Sequence, residues 1–186
     1  MAYNYQKVNG PLGKDNSPGL KKNVLVAPRS WFDVLSVEVD PDGDTVGRVK
    51  ITADHTFITG KGWVQLYTTL DTGQLTAEMV GDCDSKVQNP KVECKHPGSK
   101  EEILAFADAA KNDEFICLVQ GLNNEWLQLG SDGLEALIMG NYDSGKVSGG
   151  YKGWTFTIES FGKIFLYEGA ITMLPETSGS GSASGS

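Results

Sequence analysis

Residues 99–129 read SKEEILAFADAAKNDEFICLVQGLNNEWLQL, and their change of period decides the fold. Ser99 and Glu102 stand in the Ser-x-x-Glu order of a capping box, whose two side chains reciprocally satisfy orphan backbone donors at a helix start. Ile103, Leu104, Phe106, Ala107 and Ala110 follow at helical spacing, which predicts a helix over residues 99–112 with Ser99 as its N-cap. Beyond Asp113 the pattern becomes that of strands. Residues 114–120 (EFICLVQ) and 125–129 (EWLQL) flank Leu122-Asn123-Asn124, so together they predict a tight hairpin.

Working outward, the same strand signal recurs on both sides. Upstream, residues 23–27 (NVLVA) are apolar and β-prone and end at Pro28. Residues 31–39 and 46–57 flank Asp40-Pro41-Asp42-Gly43-Asp44, a Pro-Asp-Gly turn signal for a second hairpin. Residues 63–70 alternate, and residues 74–80 form a short strand after Asp71-Thr72-Gly73. Residues 81–98 are polar and irregular; they predict a long loop or β-excursion, with at most a strand around residues 91–95. Downstream, residues 135–142, 153–160 and 163–174 continue the strand pattern. The expected fold is therefore mainly β: a β-sandwich or distorted barrel of antiparallel strands, with one flanking α-helix.

The ends differ from this body. Residues 1–22 crowd Gly10, Pro11, Gly13, Pro18 and Gly19 into their second half, and predict an extended N-terminal arm that Tyr3 and Tyr5 could anchor. Residues 175–186 finish in Gly and Ser and predict a flexible tail. A single domain over residues 23–174 remains, long enough to bury a core.

Composition narrows the function. With 16 basic against 24 acidic residues the net charge is −8, which repels nucleic acid, and only Arg29 and Arg48 could fork a phosphate. Three cysteines (Cys83, Cys94, Cys117) make no disulfide framework and point to a reducing cytoplasm. No leader-like apolar region opens the sequence, and no apolar run is long enough for a membrane span.

Candidate chemistry is sparse. Asp40, Asp42 and Asp44 open like a calcium loop, but Thr45 and Ile51 occupy the positions that need Gly and a bidentate Glu. Cys83, Cys94 and His96, with His55 or Asp84 as a fourth ligand, lack the paired-cysteine knuckle of structural zinc. Residues 145–150 (GKVSGG) lack the order of a phosphate loop, and no nucleophile elbow is present. No catalytic, cofactor or metal residue is therefore assigned, and the chain is not expected to be an enzyme. Trp31, Trp63, Trp126 and Trp154 could build a sugar-stacking platform on a sandwich, or else pack a core or a subunit interface.

Three stretches carry a resemblance: HTFITGKGWVQLYTTLDTGQL (55–75), HPGSKEEILAFADAAKNDEFICLVQ (96–120), and Asp143-Ser144-Gly145 leading into GWTFTI (153–158). Together they resemble structural proteins of tailed bacteriophages, and most of all major tail-tube proteins. The resemblance implies a virion protein made in the host cytoplasm that forms stacked hexameric rings with itself and meets other tail or neck proteins. DNA would pass through the channel without specific binding. It implies interfacial roles for the arm and the 81–98 loop, with Tyr3, Tyr5, Leu12, Leu20, Lys86, Asn89 and Lys91 as contact residues. A capsid decoration or head–tail connector protein is the alternative within that class, and a carbohydrate-binding β-sandwich is the alternative outside it.

Overall fold

The computed structural model describes residue 5 and residues 7–10, 16–43 and 45–175. In chain order the elements are β1 (Leu20–Pro28), β2 (Phe32–Val34), β3 (Lys50–Ile51), β4 (Thr56–Phe57), β5 (Val64–Tyr67), β6 (Gln74–Val80) and β7 (Val87–Pro97). Then follow α1 (Glu101–Ala110), β8 (Glu114–Gly121), β9 (Trp126–Leu129), β10 (Ala136–Asp143), β11 (Gly153–Glu159) and β12 (Phe165–Tyr167). The fold is mainly β with a single α-helix among the described residues and one large mixed sheet. All its pairings are antiparallel except β12 with β3.

The spine of the molecule is the β1–β8 pair. Val24 and Val26 on β1, and Phe115, Cys117 and Val119 on β8, face one core with Phe156, Ile158, Val92 and Ile103. The intervening Leu25, Ala27, Ile116 and Leu118 face a second core with Phe32, Trp63, Phe165 and Tyr167. Strands buried on both faces need apolar residues at consecutive positions, which is why NVLVA and FICLV run without alternation. Each such side chain withdrawn from water contributes about 1.5–3 kcal/mol before the entropy of ordering it is charged against it. β1 occupies one edge of β8. Along the other edge β8 pairs with β10 at residues 114–115 and with β9 at residues 117–120, so the sheet forks there into two layers.

Several expectations need correction. The helix begins at Glu101; Lys100 is its N-cap, extended and without a side-chain cap bond, so the Ser99–Glu102 capping box does not form. The strand before it dictates this entry. β7 runs on to Pro97, and the Gly98 N–H bonds the Lys152 carbonyl at 3.0 Å, which leaves Ser99 one residue short of the cap position. Glu101 and Glu102 still place negative charge in the first turn, where the helix dipole favours it. Ile103 and Ala110 are buried and Phe106 and Ala107 pack on the core, but Leu104 is 46% exposed and drops out of the stripe.

The two runs flanking residues 40–44 do pair with each other, but only at their far ends, Phe32–Val34 with Thr56–Phe57; Asp44 lies outside the described residues. Next to the turn no continuous ladder forms, and Lys50–Ile51 pairs with β12 instead. Residues 46–49 form a 3-10 turn with Thr45 accepting from the Gly47 N–H, and Val39 N–H to Lys50 carbonyl (2.8 Å) closes the excursion. The expected strand over residues 163–174 is reduced to Phe165–Tyr167. The arm ends earlier than expected, because Leu20, Lys21 and Lys22 already belong to β1. The largest correction concerns residues 81–98: β7 is an eleven-residue strand held on both sides, by β6 and by β11. The residues 176–186 of the expected tail lie outside the described residues.

Candidate functional site

Strands β10, β11, β7 and β6 form a four-stranded antiparallel layer in that order. Their registers sort the side chains onto two faces. One row of the inner face is Ile138, Ile158, Val92 and Leu75, all packed in or against the core beside the spine. The outer face carries the alternate residues: Leu137, Glu159, Lys91 and Thr76 in one row, and Met139, Thr157, Glu93 and Gln74 in the next. Sequence alternation of period 2 produces this split, because successive side chains of a strand point to opposite faces.

The outer face is a polar, shallow surface. Lys91 Nζ meets Glu93 Oε1 at 2.8 Å, and Asn89 Nδ2 donates to Glu159 Oε1 at 2.7 Å. The Glu93 hydrogen bond and charge raise the Lys91 pKa above its ordinary value. Together with Glu78, Thr76 and Gln74 these groups line an open depression of about 400 Å³. Three carboxylates (Glu78, Glu93, Glu159) outnumber the one ammonium there, so the surface is mildly acidic.

Both edges of this layer are free among the described residues. β6 pairs only with β7, and residues 138–143 of β10 pair only with β11. Such edges are normally blunted by Lys, Pro or a bulge, since their open N–H and C=O groups recruit other strands. Here QLTAEMV and ALIMGNYD contain neither Lys nor Pro, and both ladders run without a register shift.

The expected contact residues are scattered relative to this layer. Asn89 and Lys91 lie on its outer face, on a strand and not on the loop expected for them. Lys86 is exposed in the turn between β6 and β7. Leu20 is a β1 residue packed against the core, and so not part of a free arm. Tyr5 is 89% exposed, while Tyr3 and Leu12 lie outside the described residues. Sequence reasoning missed Thr76, Glu78, Glu93, Glu159, Leu137 and Met139. Their signal was present as the alternation of residues 74–80, 91–96 and 136–143.

The remaining chemical candidates are kept apart by the fold. Cys83 is exposed, Cys94 is buried in the spine-side core, and the His96 ring bonds the Tyr67 carbonyl at 2.9 Å. Burial pushes the Cys94 thiol up to about 11, which makes it a packing group and a poor nucleophile. Among the described residues no three His, Cys, Asp or Glu side chains converge as a metal site. The tryptophans form no platform: Trp63 is fully buried, Trp126 packs on its core, Trp154 packs on the other core, and Trp31 lies under the Lys61 ammonium.

Among the described residues His55 is the one buried histidine. It is 3% exposed, stacks on Tyr167 at 4.6 Å between centroids, accepts the Ser36 N–H on Nδ1 at 3.1 Å and donates from Nε2 to Gln128 Oε1 at 2.8 Å. Burial lowers its pKa below the ordinary 6.5, against the opposing pull of the Gln128 hydrogen bond and the Asp54 charge.

No helix among the described residues is long and apolar enough to cross a membrane. Comparison with family models, with curated proteins and with solved structures returned no match to this chain.

Proposed function

We propose that this chain is a virion structural protein of the tailed-phage kind, the major tail-tube subunit, which assembles with itself into stacked rings around a channel for DNA. The observation that carries the reading is the pair of unblunted edges on the β10–β11–β7–β6 layer. Four antiparallel strands leave β6 running opposite to β10. When β6 of one copy lies beside β10 of the next, the pair is again antiparallel and the contact repeats by rotation. This is a heterologous contact that closes into a ring.

Dimensions and charge favour the same reading. Six copies of the four-stranded unit, at about 4.8 Å per strand and a tilt of about 40°, close a barrel about 48 Å across between backbones. That leaves room for a duplex. The polar outer face with its three carboxylates would line the bore, where like charge keeps phosphates from sticking. Electron microscopy of the purified chain tests the proposal: rings or stacked tubes about 100 Å wide are expected for six domains of this size around such a channel. A protein that stays monomeric at high concentration, or that binds a glycan array as a monomer, overturns it.

A further inference from the structure

Backbone hydrogen bonds at the ends of β7 and β11 fix which peptide groups the outer strands of the layer turn outward. The Gly98 N–H bonds the Lys152 carbonyl at 3.0 Å, and the Ser160 N–H bonds the Pro90 carbonyl at 3.1 Å. Hydrogen-bonding direction alternates along a strand, so the even-numbered residues of β11 face β7 and its odd-numbered ones face β10. Carried through the registers of the layer, the peptide groups of Ile138, Gly140 and Tyr142 on β10 point away from it, as do those of Leu75, Ala77 and Met79 on β6. The side chains of both sets lie on the inner face, in line with Ile138 and Leu75 at the core. Edge-to-edge pairing of two copies can therefore slide only in steps of two residues, because a slip of one would turn each side chain to the other face.

We propose that β6 of one copy adds to β10 of a second copy in one register, with Gly140 opposite Ala77, Ile138 opposite Met79 and Tyr142 opposite Leu75. The inference rests on the self-assembly proposed above and names which residues meet in it. Only in this register does every outward-pointing residue of one edge find one on the other. Its side chains also agree. Met79 and Tyr142, 73% and 43% exposed in the single chain, gain apolar partners, and on the outer face the half-exposed Leu137 falls opposite Val80. Glu78 opposite Met139 is its one unlike pair. The rings of Phe156 and Trp154 fill the space that a Cβ at Gly140 would need, so a small residue suits the position across the seam, and Ala77 supplies it. A slide of two residues either way sets a carboxylate, Glu78 or Asp82, opposite Leu137. It also brings Leu75 or Met79 against Gly140.

Cysteine pairing in the full chain tests this. Asn141 and Thr76 of two copies would form a non-hydrogen-bonded pair, with Cα atoms about 4.5 Å apart and within disulfide reach. Within one chain the same positions stand three strand spacings apart, about 14 Å, so a link joins two copies. In a Cys83→Ser background, Asn141→Cys is combined in turn with Thr76→Cys, Gln74→Cys and Glu78→Cys, which share the outer face. Under mild oxidation the Thr76→Cys combination should link at least about tenfold faster than either of the others. A faster link with Gln74→Cys or Glu78→Cys, or equal rates in all three, overturns the register. Electron microscopy of the same samples separates the two readings. The preferred link without rings overturns the ring and leaves this edge pairing standing, and rings without any link do the reverse.

Discussion

His55 shows how one residue couples protonation to the fold. Its Nδ1 accepts a backbone N–H and its Nε2 donates to Gln128, so the enclosed ring is neutral with one tautomer. Protonation would set an N–H against the Ser36 N–H and place a charge among Phe32, Trp63 and Tyr167. Asp54, next in sequence, is the charged group that acts on it, and its carboxylate is engaged by the Ala170 N–H. The folded state therefore binds the proton more weakly than the unfolded state, whose histidine has the ordinary 6.5. Stability is fully present above that value, falls as the pH drops through it, and levels off below the depressed folded pKa. Thermal melts between about pH 7 and pH 5 should show this step in the natural chain and not in His55→Asn, which starts from a lower melting temperature. The same slope in both chains would show that another group carries it.

At the scale of the element, the helix separates a motif from its structural use. Ser99→Ala should change stability by less than about 0.5 kcal/mol, where loss of a true cap costs about 1 kcal/mol. Ile103→Ala, which opens the core, should cost about 2–5 kcal/mol in urea unfolding. A cost at Ser99 comparable to a lost cap contradicts the entry described here. The hairpin of β8 and β9 and the strands β10 and β11 were legible because their periods are long and their turns local. The helix was legible for the same reason, its ends less so, since a backbone hydrogen bond from Gly98 to Lys152 fixes its entry and no local pattern announces that. β7 was obscured because its outer face reads Lys91, Glu93, Lys95 and hides the inward Val92 and Cys94. Residues 31–57 were legible only in part, since Phe32–Val34 and Thr56–Phe57 pair as the turn between them predicts. Their Pro-Asp-Gly turn was a sound local signal, but Lys50 and Ile51 pair with residues 166 and 167, far along the chain. Non-local pairing decided both cases.

For the whole molecule, one spine buried on both faces supports two layers, and the layer away from Trp63 ends in open edges. The candidate surface was only partly readable. Asn89 and Lys91 were singled out on a supposed loop, and the fold returns them as members of a sheet face; the edges themselves depend on which strands end the sheet, which no window of sequence reports. The claim that β6 and β10 meet between copies can be read at the amides concerned. Hydrogen–deuterium exchange of the assembled protein should slow the edge-facing amides of residues 74–80 and 138–143 by at least about tenfold relative to the monomer. An assembly in which those amides exchange as they do in the monomer, while another surface becomes protected, would contradict the account.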